Sequence, residues 1–139
     1  MVSLNRNDFA SLQIAFAIRM LGLIMIVEYT RYKINEERQA LFERAYEKAG
    51  EALKASSHCL GYELSHCTED PNYYALRIEW DSEEGHLKGF RTSPEFKIFF
   101  ALVQSYVKDI EEMRHYQVIS ADERSHLGVS SKPANGSGS

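Results

Sequence analysis

The sequence predicts an α+β fold in which two helices cover one antiparallel sheet, in the order β-α-β-β-α-β. Three observations carry this expectation. Four segments are rich in β-branched and aromatic residues, which suit a pleated, half-buried surface. Two intervening segments repeat apolar residues at the three-and-four spacing of a helix face. The second and third strands are separated only by Thr68-Glu-Asp-Pro-Asn72, turn chemistry that makes them a hairpin, whereas the other connections run through helices.

The first strand is read over residues 25–34, MIVEYTRYKI. Asn35 suits a helix N-cap, and Glu36 and Glu37 follow where carboxylates favour the helix dipole. Leu41, Phe42, Ala45, Ala49, Ala52 and Leu53 then mark an amphipathic helix to about Ala55. The second strand, residues 58–67, puts Tyr62, Leu64 and His66 on one face, and the third is residues 73–80. Asp81-Ser-Glu-Glu84 has the capping-box pattern and begins a short helix. Ser93 and Pro94 begin another, with an apolar stripe of Phe96, Phe99, Phe100, Val103, Val107 and Ile110. Residues 113–119 close the order as the last strand. This is the split βαβ arrangement of ferredoxin-like folds. Two helices cover only one face of such a sheet. Apolar and aromatic residues on the other face favour a homodimer with sheets packed together.

The chain has 139 residues, and residues 25–119 read as a single domain between two extensions. Residues 1–24 are expected to be an N-terminal extension. They form either a helix with Phe9, Leu12, Phe16, Met20 and Leu23 on one stripe, or sequence upstream of a start at Met25. Arg19 interrupts their apolar run and Asp8 occupies the would-be basic region, which argues against a signal peptide and a membrane span. Residues 120–139 end in a Gly/Ser/Pro/Asn tail, expected to be disordered. The composition, 44% hydrophobic and 26% charged with net charge −4, is that of an ordinary globular protein. With no Lys/Arg run, it gives no reason to expect a nucleic-acid partner. Two cysteines, Cys59 and Cys67, stand roughly 26 Å apart if they share a strand, too far to bond within one chain. They read as reduced thiols of a cytoplasmic protein, and no cluster has zinc-ligand spacing.

The stretch IEWDSEEGHLKGFRTSPEF, residues 78–96, has a Trp ending a strand, then S-x-x-x-H-L and T-S-P-x-F. It resembles the antibiotic biosynthesis monooxygenase superfamily, and within it the quinol monooxygenases, over about residues 25–119. The resemblance implies a dimeric α+β barrel, an oxidoreductase that uses no metal, flavin or haem, and a pocket histidine at His86. Haem-degrading relatives use an Asn, a Trp and a His at positions that hold Thr30, Phe90 and Phe100 here, so haem degradation is not implied. A second histidine of some relatives is Phe90 here. The charged segment YVKDIEEMRHY is similar to a subgroup associated with truncated globins, which implies a globin or redox partner.

Oxygenation without a cofactor needs a deprotonated, electron-rich phenol, because triplet oxygen reacts poorly with closed-shell organics. The site then requires a base, an aromatic cavity and donors for an oxyanion. Histidine has a suitable intrinsic pKa, which makes His86 the candidate catalytic base. Trp80, Phe90, Phe100 and His115 are candidate substrate contacts. Arg31, Arg77 or Arg91 could stabilise the oxyanion, and Tyr29 or Tyr32 could donate a hydrogen bond. Bland alternatives stand beside these. Trp80, Phe96, Phe99 and Phe100 serve packing first, Arg31 could pair with Glu63, and His58 and His66 carry no evident chemistry. The expectation is a cofactor-independent monooxygenase of a quinol or related phenol. The alternative is a non-catalytic dimeric module that binds an aromatic metabolite or a globin or redox partner.

Overall fold

The computed structural model describes residues 25–122, together with Ala10 and Gln13, both helical. The apolar stripe expected over residues 1–24 and most of the tail expected to be disordered lie outside the described residues. The elements are β1 (Ile26–Lys33), α1 (Glu36–Ala55), β2 (Cys59–His66), β3 (Tyr73–Trp80), α2 (Pro94–Val103) and β4 (Ile110–Gln117). A π-helical turn (Gly85–Gly89) and a 3₁₀ turn (Phe90–Thr92) precede α2, and a second 3₁₀ turn (Gln104–Asp109) follows it. The four strands form one antiparallel sheet in the order β2-β3-β1-β4, the predicted ferredoxin-like α+β topology.

Alternation along β1 sorts its side chains. Glu28, Thr30 and Tyr32 are buried, while Tyr29, Arg31 and Lys33 are exposed. From β3, Tyr74, Leu76, Ile78 and Trp80 point the same way into the core. The helices α1 and α2 pack on each other, and α1 also packs on β2. Phe42 sits at the centre of the core, with the rings of Tyr32, Tyr46, Tyr74 and Tyr106 at 4.8–5.1 Å. Edge-to-face and tilted contacts of this kind add to the area each ring buries.

Local chemistry differs from expectation at several points. Asn35 makes no side-chain cap. Gln39 instead donates to the carbonyls of Ile34 (3.0 Å) and Pro71 (2.8 Å), tying the start of α1 to the hairpin. On α1 the buried face includes Tyr46, whereas Leu41 is exposed. After Val103 the chain tightens to 3₁₀ geometry, which has three residues per turn. Tyr106, three residues on, therefore takes the core position, and Val107 is exposed. This leaves Ile110 to open β4, three residues before the expected start. Its pairing with Tyr32 follows a bulge that skips Glu111. Arg31 pairs with Glu111 and Glu112 at 3.7 and 3.8 Å, because β4 is its neighbour and β2 lies two strands away. Cys59 and Cys67 are free and half-buried. Among the described residues no helix is long and apolar enough to cross a membrane.

Because Phe42 is fully buried among four rings, Phe42→Ala is expected to destabilise the protein by about 3–5 kcal/mol. Urea unfolding of the two proteins measures the difference.

Candidate functional site

The site is built on the inward row of β1. Glu28 is buried in the sheet, and a buried carboxyl must have its oxygens satisfied. Thr30 Oγ1 donates to Oε2 at 2.9 Å, and Trp80 Nε1 donates to Oε1 at 3.1 Å. His86 Nε2 stands 3.2 Å from the same Oε1. On its other side, His86 Nδ1 shares a 2.7 Å hydrogen bond with His115 Nε2. His115 reaches this position because it lies opposite Glu28 in the β1–β4 register, and directly opposed residues share a face. The His86 ring stacks on Trp80, with centroids 4.3 Å apart and planes 9° from parallel.

His86 is carried by the π-helical turn. Ser82 Oγ accepts from Gly85 N–H at 2.8 Å and starts the turn, one residue after the expected cap at Asp81. The N–H of Phe90 then bonds to the carbonyls of Gly85 and His86, which widens the turn. Asp81 instead takes His58, with Oδ2 2.8 Å from Nδ1. The turn lies directly on this pair. A Cβ at Gly85 would fall 1.9 Å from Asp81 Oδ1, and one at Gly89 would fall 2.4 Å from His58 Nε2. Only glycine permits an approach this close.

Burial dominates the electrostatics. It lowers His86 from its usual range to about 3, with the nearby positive charges of Arg91 and His115 adding to the shift. Burial also raises Glu28 above the ordinary carboxyl range, against the donations from Thr30 and Trp80 and the charges of His115 and Arg91. Both shifts disfavour charge. The close Glu28–His86 contact is therefore one between a carboxyl group and a neutral imidazole, not a strong ion pair. A neutral imidazole has one N–H and one acceptor; Nδ1 of His86 is hydrogen-bonded to His115, and Nε2 is in close contact with Glu28.

Beside the chain lies a cavity of about 250 Å³. Glu28, Thr30, Trp80, His86 and Arg91 line one part, and Tyr32 and Tyr46 are also in its wall. The remaining wall is apolar and includes Ile78, Phe90, Phe96, Phe99, Phe100 and Val103. Phe100, Val107, Met113 and Arg91 are exposed as well as cavity-lining, so they mark its opening. The structure thus brings together Trp80, His86, Phe90, Arg91 and Phe100, with His115 joined through His86. It does not bring Tyr29 or Arg31 to this cavity. Both fall on the opposite face of β1, where Tyr29 meets Tyr116 edge-on and accepts from Arg77, and Arg31 pairs with glutamates.

Glu28, Tyr46 and the His58–Asp81 pair were not singled out from the sequence. A signal existed for Glu28: the row 26, 28, 30, 32, 34 ends in isoleucines, whereas the row 27, 29, 31, 33 carries Arg31 and Lys33. Glu28, His86 and His115 each offer one ligand atom, all within 4.8 Å of one another, so these three could hold a metal ion. Each Glu28 oxygen already accepts a hydrogen bond, and both His86 nitrogens already face a partner. A cation would have to displace some of these contacts.

The profile of the antibiotic biosynthesis monooxygenases matches residues 25–102. Bacillus subtilis YczJ is 29% identical over 93 residues, 67% of this chain and 98% of YczJ. A Bordetella bronchiseptica protein classed with the antibiotic biosynthesis monooxygenases superposes with TM-score 0.57 at 27% identity, over 67% of this chain and 95% of that one. SnoaB, a cofactor-independent oxygenase of Streptomyces nogalater, superposes with TM-score 0.60 at 11% identity, over 70% of this chain and 96% of its own, a likeness of fold.

The shifts at His86 and Glu28 have opposite consequences for stability. The folded value of His86 lies below its ordinary 6.5. Its share of stability is therefore full above pH about 6.5 and lost as pH falls toward 3. The folded value of Glu28 lies above 4.5, so its share is present below that pH and lost as pH rises through the folded value. In a Glu28→Gln background the acid loss from His86 is expected to be free of the opposing Glu28 contribution, with a slope of up to about 1.4 kcal/mol per pH unit. Adding His86→Phe should flatten that slope. Urea unfolding across pH 4–7 (about six points) measures it.

Proposed function

The chain belongs to the antibiotic biosynthesis monooxygenase family, and from that premise we propose that it is a monooxygenase of a quinol or related phenol that needs no cofactor. The observation that carries this reading is the Glu28–His86–His115 chain at the wall of an apolar, aromatic cavity. A substrate hydroxyl placed against Glu28, the end of the chain that lines the cavity, gives its proton to the carboxyl group beside His86. The phenolate passes an electron to oxygen, and the resulting pair combines. One oxygen atom enters the ring and the other leaves as water. The quinol supplies all four electrons, so hydroquinone plus O₂ gives hydroxyquinone plus H₂O with no external reductant. Arg91, in the cavity wall, stabilises the oxyanion.

His86 is too weakly basic at about 3 to hold a proton by itself at neutral pH. Its role in this reading is therefore transfer along the chain rather than storage. Trp80 fixes the imidazole by stacking, and Phe90 and Phe100 wall the substrate. The same low basicity favours a second reading, a non-catalytic module that holds an aromatic metabolite or serves a globin or redox partner. We also propose a homodimer formed through the outer sheet face, where Tyr29 and Tyr116 are exposed. Sedimentation velocity should then show twice the chain mass, and Tyr29→Glu with Tyr116→Glu should give the monomer.

Oxygen uptake with a panel of hydroquinones and anthrone-type phenols tests the enzyme, with boiled protein as control. Saturable uptake that resists chelators and falls about 10²-fold or more in folded His86→Ala is expected. Uptake abolished by chelation and restored by one divalent metal would replace this mechanism with a metal-dependent one. Binding without uptake above the boiled control would favour the non-catalytic module.

A further inference from the structure

The inward row of β1 presents polar groups to the cavity at both its ends. Glu28 and His86 form one. The other is the hydroxyl pair of Tyr32 and Tyr46, which line the same cavity and are almost wholly buried. Those hydroxyls hydrogen-bond to each other. Two hydroxyls carry two hydrogens, and one mutual bond uses only one. The second hydrogen makes no hydrogen bond to a described residue, and Asp109, whose charge acts on Tyr32, is engaged by Arg38 at 2.8 Å. Buried donors without acceptors are costly and rare. The rings cannot easily turn away to find an acceptor, because Phe42 packs on Tyr32 at 4.9 Å and on Tyr46 at 5.0 Å, and Phe99 lies 6.1 Å from Tyr46. Burial also raises both phenols, Tyr32 to about 12, so both stay protonated donors at neutral pH.

From Glu28 to Tyr32 the row covers roughly 13 Å of strand. Between its polar ends Thr30 has its hydroxyl hydrogen committed to Glu28, and the rest of the wall is apolar, with Leu76, Ile78, Phe96 and Val103. We infer that the Tyr32–Tyr46 pair is a second binding subsite. It donates a hydrogen bond to a ligand oxygen on the ring edge opposite the oxygen that meets Glu28 and His86. The ligand class is a small aromatic ring system with two para-disposed oxygens, preferred over a phenol with one. This deepens the proposed function and rests on that reading of the cavity as a quinol site.

Calorimetric titration under nitrogen tests it with three probes: naphthohydroquinone, its monomethyl ether and α-naphthol. The ether oxygen can still accept a hydrogen bond, so the first two probes should bind about tenfold more tightly than α-naphthol. The double substitution Tyr32→Phe and Tyr46→Phe should abolish that preference. The single Tyr46→Phe should keep it, because the remaining hydroxyl retains its hydrogen. Equal binding of all three probes to the unaltered protein would overturn the subsite alone, even if the double variant did not fold. A preference that persists in the folded double variant would also overturn it. Failure of all three to bind would overturn the quinol reading and the subsite together.

Discussion

A carboxyl group buried in a sheet is the constraint around which this molecule is arranged. Glu28 lies on the core side of β1, where an unsatisfied carboxyl would cost several kcal/mol, of the order of a small domain's whole stability. Its neighbours are therefore specified. Thr30 supplies one donor from the same strand, and Trp80 supplies another from the end of β3. The indole meets its own need in doing so, since a buried Trp N–H also requires a partner. With both oxygens engaged, His86 can approach the carboxyl as a neutral ring stacked on the indole.

That placement sets demands on the chain that brings His86 in. The backbone must leave β3, cap at Ser82 and widen into a π-helical turn within a few residues. It must also run close to β2, where His58 and Asp81 stand in its way. Gly85 and Gly89 answer this by having no Cβ to collide with that pair. The 3₁₀ turn that follows places Phe90 in the core and leaves Arg91 at the cavity opening. Mutually dependent contacts of this kind hold a polar group in one arrangement, because losing any member strands another.

The same burial decides what chemistry the cavity favours. Water exclusion pushes His86 down and Glu28 up, so charge is disfavoured at both. Around them the walls are mostly aromatic, suited to a flat, apolar ring. The fold shared with SnoaB at 11% identity shows how little sequence is needed to keep this architecture. Function within it must be argued from the site.

By itself the sequence determined the order of helices and strands along the chain. Period-two and helical patterns, the Thr68–Asn72 turn and the Ser93–Pro94 start are local signals, and local energetics places them. It also marked His86, Trp80, Phe90, Arg91, Phe100 and His115, which gather, and Tyr29 and Arg31, which fall on the other face of β1. Where a local signal had a rival, the tertiary structure chose. Asn35 yielded to Gln39, whose amide reaches two carbonyls. Val107 yielded to Tyr106 once the chain tightened. Arg31 paired across to β4 because strand order, which no single segment encodes, made β4 its neighbour. The Glu28–His86–His115 chain and the Tyr32–Tyr46 pair join residues from different elements. Each side chain alone reads as an ordinary polar or aromatic residue. Only the packed fold removes water from them, and that desolvation sets them apart from the same residues on a surface.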